Sequence, residues 1–406
     1  MIKISILGDI MCEPLLIRAA KKGKTYNFNP IFNEIKEIIK DSDYAIGNLE
    51  TPLAGKDKFF CNELYSFNAP DEFAIAVKNA GIDMVTTANN HCLDRGMDGL
   101  DRTLEILDNA GIGHCGTSSE KKDSRIGYFK IGNIRFALVC GTYGTNYQSN
   151  HVLIMKDREK NVNLLRGQDA IGFYKIGKKD PTAKTRNNRW IRFLYRVLRK
   201  AGLVPWKAQM IYKLFRQKKT IPYSDDYMEG EIPSIYTDML LKDLQEARKN
   251  ADFVIFFPHI GGQFNTEPGT FSKYITKCAA DSGCCDIIVS SHAHVIQGHG
   301  ILSETPCFYS IGNVSMSPNS YYIPDDADTD LGIILHIYLE GSRIHKISFT
   351  MIHISEKVHG MMKILPIGKI NASGNLVTRI RKNYRLFTGM EMPINKPFKR
   401  EYDIKL

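Results

Sequence analysis

The chain has 406 residues, 43% hydrophobic and 24% charged, proportions that exclude a disordered polymer and predict a packed core. No apolar run is long enough to span a bilayer, and Met1 to Asp9 is too short and too quickly acidic for a secretory signal, so a cytoplasmic protein is expected, at most peripheral to the inner face of the membrane. The net charge of +10 is local: 15 Lys or Arg and one acid, Asp180, lie between Lys175 and Lys219, leaving 39 basic against 43 acidic residues elsewhere.

Lys3 to Leu7 is an apolar strand running into Gly8-Asp9. Pro30 to Lys40 follows as a helix, with Ile31, Phe32, Ile35, Ile38 and Ile39 on one face. The strand Tyr44 to Leu49 runs into Glu50-Thr51-Pro52, and Asp83 to Thr87 runs into Ala88-Asn89-Asn90-His91. Leu93, Met97, Leu100, Leu104 and Leu107 form a helical stripe that Gly111 closes. With a strand at Arg135 to Gly141, the alternation predicts parallel βαβ units.

The pattern fails between about 146 and 230, the expected span of a basic helical insert. There Trp190, Ile191, Phe193, Leu194, Val197 and Leu198 share one helical face, while Arg189, Arg192, Arg196 and Arg199 share another. The plainer reading is a helix pair packed on the domain with a solvated basic rim. The functional reading makes residues 186–219 a surface for anionic lipid headgroups or an acidic polymer. No recognised motif points to specific nucleic-acid binding.

The alternation resumes with a helix from Thr237 to Asn250, the strand Phe253 to Phe257 into Pro258-His259-Ile260-Gly261, and a helix from Ser272 to Ser282. The strand Asp286 to Ser290 then runs into Ser291-His292-Ala293-His294. Three strand-like runs follow: Cys307 to Ile311, Gly332 to Leu339 and Ile344 to Ile354. A single domain over 1–355 is expected. Residues 356–406, basic and without clear period, read as a tail or small extension. The nine cysteines form no CxxC pair and read as reduced thiols. Cys12 and Cys92 neighbour the polar clusters but read as small buried residues rather than ligands.

Five strands thus end in polar residues, the place where open α/β sheets put their chemistry. The candidate ligands are Asp9, Glu50, Asn90, His259, His292 and His294, whose carboxylate, amide and imidazole groups suit one or two divalent ions such as manganese, iron or zinc. A bridging carboxylate flanked by His and Asn would hold two cations close together, lowering the pKa of a bound water for attack at phosphorus. His91 is then placed to protonate the leaving oxygen. Thr51 and Asn313 are candidates for supporting the ligands, Asn313 also reading as a simple turn residue.

Gly8-Asp9-Ile10-Met11, Gly47-Asn48-Leu49-Glu50-Thr51-Pro52, Asn89 to Gly96, His259-Ile260-Gly261, Ser291 to Gln297 and Tyr309 to Asn313 occur in an order and spacing that resembles the CapA family. This is the capsule and poly-γ-glutamate biosynthesis branch of the calcineurin-like metallophosphoesterases. The resemblance implies a four-layer α/β/β/α sandwich with Glu50 bridging. It gives Asp9 and His294 to one metal, Asn90, His259 and His292 to the other, and an acid role to His91. It implies a metal-dependent hydrolase in the synthesis of an anionic polymer, with a phosphoester among its substrates. Three departures stand out: Met11 where the superfamily often has a metal-binding His, Gln263 where the family usually has Glu, and Ser290-Ser291 before the paired His. They keep open an alternative, a non-catalytic polymer-binding or membrane-surface accessory protein on the same fold.

Overall fold

The computed structural model describes residues 1–60, 66–119, 125–154, 156–168, 225–226, 233–320, 323–324, 327–356, 362–394 and 396–405. The first half runs β1 (Ile2–Ile10), α1 (Pro14–Ala20), β2 (Lys21–Lys22), β3 (Thr25–Tyr26), α2 (Asn29–Lys40), β4 (Tyr44–Leu49), α3 (Glu72–Ala80), β5 (Met84–Thr86), α4 (Gly96–Asn109), β6 (Gly113–Cys115), β7 (Ile126–Ile131) and β8 (Ile134–Thr142). The second half runs α5 (Tyr147–Asn150), α6 (Ser234–Asn250), β9 (Phe253–His259), α7 (Thr270–Asp281), β10 (Ile287–Val289), β11 (His299–Leu302), β12 (Thr305–Phe308), β13 (Asn313–Ser315), β14 (Leu331–Glu340), β15 (Arg343–Glu356), β16 (Met362–Pro366), α8 (Asn375–Thr388) and β17 (Tyr402–Asp403).

The strands build two large sheets. One has the order β16-β15-β14-β1-β4-β5-β6, with β13 beside β1 and β17 beside β15; the other has the order β11-β12-β10-β9-β8-β7. The centre of each is parallel: β1, β4, β5 and β6 in the first, β8, β9, β10 and β12 in the second. Helical crossovers make this possible and leave both faces of the central strands covered, so these strands are mostly apolar.

The period of two decides the layers. Phe253, Ile255 and Phe257 of β9 point inward to meet Ile4, Ile6 and Ile46 of the other sheet, with Ile287 and Val289 beside them. Val254 and Phe256 point outward onto Leu240 and Leu244 of α6 and Phe271 and Ile275 of α7. On the far side, Leu7 and Ile10 of β1 face Ile31, Phe32, Ile35 and Ile38 of α2 and Phe73 of α3. The molecule is therefore the α/β/β/α sandwich that the sequence predicts. Burying each such aliphatic or aromatic side chain contributes about 1.5–3 kcal/mol.

Helix α2 presents the expected five residues to the core. Helix α4 starts at Gly96, later than its apolar stripe, because Gly96 holds a left-handed φ of 73° and residues 91–95 form a turn instead. The chain between β8 and residue 168 is woven into the body. Thr142 bridges Leu164, Thr117 bridges Val162, Asn161 Nδ2 donates to Ser118 O at 2.7 Å, and Arg158 pairs with Asp101. The stripe around Trp190, like all of 186–219, lies outside the described residues.

The segment read from sequence as a tail supplies β16 and β17 to the first sheet and the helix α8. Ile380, Tyr384 and Phe387 of α8 enter the core between the sheets, where Phe387 meets Phe308 of one sheet and Phe349 of the other. No helix among the described residues is long and apolar enough to cross a membrane.

Candidate metal centre

The carboxyl ends of β1, β4, β5, β9 and β10 converge on one buried cluster. Asp9 and Glu50 are 0% exposed, and Asn90, His91, His259, His292 and His294 are all buried. Gly8 lets the end of β1 approach the turn before β13: a Cβ there would lie 1.9 Å from Gly312 O, and without one Asp9 N donates to that carbonyl at 3.1 Å. The neighbouring Asn313 then reaches His294, its Oδ1 lying 3.0 Å from Nδ1 while its Nδ2 donates to His294 O at 2.9 Å. Asn313 has no positive φ; that belongs to Gly312, so Asn313 orients a histidine rather than making the turn.

Glu50 stands at the centre. Its Oε1 lies 3.4 Å from His259 Nε2, 3.6 Å from His294 Nε2 and 3.9 Å from His91 Nε2. Asp9 Oδ2 lies 3.2 Å from His294 Nδ1 and accepts a hydrogen bond from His292 N at 3.1 Å. His259 Nε2 lies 2.7 Å from Asn90 Oδ1 and 3.1 Å from His292 Nδ1. Two subsets, Asp9–Glu50–His259 and Glu50–His292–His294, each bring three ligand atoms within 4.8 Å of one another, and Glu50 belongs to both. That shared carboxylate is the arrangement a bridging ligand requires.

The electrostatics follow from burial and charge. Burial opposes the charge of Asp9, but the hydrogen bond and charge of His294, the charge of His259 and the Asn48 amide outweigh it and hold the carboxyl at about 2. Burial likewise opposes protonation of His294, yet Glu50 and Asp9 raise it to about 9. His292 moves the other way, driven well below the usual range by burial and by the neighbouring His259, His294 and His91.

Among the described residues, both buried carboxylate oxygens of Glu50 have no hydrogen-bond partner, and the same is true of His294 Nε2 and Thr51 Oγ1. Leaving a buried ionisable group without a partner costs several kcal/mol, so such groups are normally paired or metal-bound. The donor set of carboxylate, imidazole and amide oxygen fits a borderline divalent cation. His292 and His294 also hold left-handed backbones, with φ of 107° and 57°. Such conformations cost of order 1 kcal/mol or more and cluster at functional sites.

Residues not singled out from the sequence complete the cluster. Asn48, one residue before the end of β4, donates from Nδ2 to Asp9 Oδ1 at 2.8 Å and lies 3.2 Å from His259 Nδ1. Its Oδ1 accepts from Thr86 and from Asn89. Asp94, three residues after His91, does not cap α4; its Oδ2 lies 2.7 Å from His91 Nδ1 and accepts from Phe67 N at 2.7 Å. A polar residue inside an apolar strand was the available signal for Asn48, and the i, i+3 spacing on a tight turn was the signal for Asp94. Tyr143 lies against His292, with ring centroids 4.4 Å apart. Met11 packs into the helix-side core and supplies the cluster no ligand. Cys12 packs in that core too, and burial pushes the Cys92 thiol up to about 12, which keeps it neutral.

A four-layer sandwich with a shared carboxylate and clustered imidazoles at its strand ends defines a protein built around a candidate metal centre. The chain belongs to the bacterial capsule synthesis protein PGA_cap family, whose model matches residues 3–317. It is similar to the capsule biosynthesis protein CapA of Bacillus anthracis, 24% identical over 76% of this chain and 58% of the relative. It is also similar to the PGA biosynthesis protein CapA of Bacillus subtilis (strain 168), 22% identical over 76% of this chain and 62% of the relative. The chain thus spans about three fifths of the length of these curated relatives. Among solved structures, the calcineurin-like phosphoesterase YfkN from Bacillus subtilis is similar over 95% of this chain and 96% of that one, at 12% identity and a TM-score of 0.36. The layer assignment rests on the two sheets themselves rather than on that likeness.

Proposed function

We propose that the chain is a metal-dependent hydrolase of the phosphoesterase kind, working in the synthesis of an anionic capsule polymer such as poly-γ-glutamate or a phosphate-bearing relative. The observation that carries this reading is Glu50: a fully buried carboxylate with neither oxygen hydrogen-bonded, facing three imidazoles. Asp9, Glu50, Asn90, His259, His292 and His294 would hold manganese, iron or zinc. When bound, such cations lower the pKa of water and neutralise charge on the phosphoryl oxygens.

The remaining work falls to the chain. Asp94 occupies His91 Nδ1, so Nε2, on the Glu50 side, is the nitrogen left to deliver a proton to the leaving oxygen. Asn313 and Asn48 fix His294 and Asp9, so that the ligands are positioned before anything binds. The family membership supports the polymer context, and the many Lys and Arg residues of 186–219 suit an anionic polymer or an anionic membrane face.

The test is hydrolysis of generic phosphomonoesters and phosphodiesters with manganese, iron(II) or zinc present. Turnover that chelation removes, and that Glu50→Ala lacks, is expected. Absence of turnover with every metal, together with polymer or liposome binding that depends on 186–219, would replace this reading with the accessory-protein one.

A further inference from the structure

Asn90 offers the centre an amide, and an amide has two ends. Only Oδ1 can ligate a cation, and the two orientations of the group differ only in the hydrogen bonds they make. Something must therefore hold Nδ2 outward. In the structure Asn90 Oδ1 faces inward, 2.7 Å from His259 Nε2, and Asn90 Nδ2 donates to Asn146 Oδ1 at 3.2 Å.

Asn146 lies between Asn90 and His91. Its other end lies 3.3 Å from His91 Nδ1, but that nitrogen is engaged with Asp94 Oδ2 at 2.7 Å, the shorter and charge-assisted contact. Turning the Asn146 oxygen toward His91 would leave the Asn90 donor facing a second donor. The orientation with Oδ1 on Asn90 is the one that gives Asn90 Nδ2 an acceptor while Asn90 Oδ1 faces His259.

The backbone around Asn146 is arranged to deliver it. It holds a left-handed conformation, φ 52° and ψ 29°, which asparagine tolerates better than most residues. The segment is pinned on both sides: Tyr143 N donates to His259 O at 3.2 Å, Asn150 Nδ2 donates to Thr145 O at 2.7 Å, and Gln168 Nε2 donates to Thr145 Oγ1. A stretch that follows the last strand before the basic segment thus reaches back to touch a candidate ligand and the candidate acid together.

We propose that Asn146 is a positioning residue that aims the Asn90 carbonyl at the candidate metal centre. This rests on the metal-dependent reading above. The loss of such a supporting contact typically weakens metal binding ~10–100-fold.

The experiment is manganese titration by calorimetry of the full chain as wild type, Asn146→Gly and Asn146→Asp, with melting of each metal-free protein in parallel. Glycine suits the left-handed backbone, so the melting temperature should hold while one manganese site weakens by at least ~10-fold. Aspartate keeps the acceptor for Asn90 Nδ2, and affinity should return to within a few-fold of wild type or better. Wild-type affinity in Asn146→Gly, or no recovery in Asn146→Asp, would overturn the assignment while leaving the metal reading intact. A wild type that binds no manganese would overturn the metal reading, and this assignment with it.

Discussion

Two histidines, both buried and both on strands or strand ends, end in opposite states. His336 in β14 has Nδ1 2.7 Å from Ser5 Oγ and Nε2 2.9 Å from Thr350 Oγ1. Each hydroxyl can donate or accept, so a neutral ring is fully satisfied, and burial, with Lys3 nearby, drives its pKa down to about 3. His294 has two carboxylates beside it, rises to about 9, and leaves Nε2 without a hydrogen bond among the described residues. Burial alone makes histidine neutral and inert. Negative charge and an unmet nitrogen, placed together, mark the site that is built for something else to complete it.

The largest effect that would break this contrast comes from Glu50→Ala. It removes the carboxylate common to both ligand subsets, and metal content by plasma mass spectrometry should fall to background along with turnover. His91→Asn should keep its metal yet lose ~10²–10⁴ in kcat, the usual worth of a general acid. Equal loss of metal in that variant would make His91 a ligand instead. Asn313→Ala frees the His294 ring, and calorimetric metal affinity should drop ~10-fold.

The smallest effect sits at His336. Its folded pKa of about 3 lies below the ordinary histidine value of 6.5, so between those pH values the unfolded chain binds the extra proton. Stability therefore rises with pH across that window and is lost as pH falls through it. His336→Asn should flatten that part of the urea-midpoint profile, and an unchanged slope would place the acid sensitivity elsewhere.

The sequence made the ligand-bearing strand ends legible because parallel central strands are short apolar runs that stop abruptly at polar residues, as at Asp9, Glu50, His259 and His292. It made α2 legible because its five apolar residues keep one face. What escaped was whatever depends on a partner distant in the chain. Asn48 and Asn146 are ordinary polar residues until folding sets them against Asp9 and Asn90. Helix α8 hid its Ile380, Tyr384 and Phe387 among basic residues, since the groove they fill is made by β12 and β15, formed earlier in the chain. His336 gave no sign of its fate because Ser5 and Thr350 come from two other strands.

The most direct measurement is the number of divalent ions per chain after loading with manganese, iron(II) or zinc, on wild type and Glu50→Ala together. Glu50, shared by two triads of ligand atoms, predicts two ions in wild type and none in the variant. No bound ion in wild type under any loading, with the fold intact, would contradict the account.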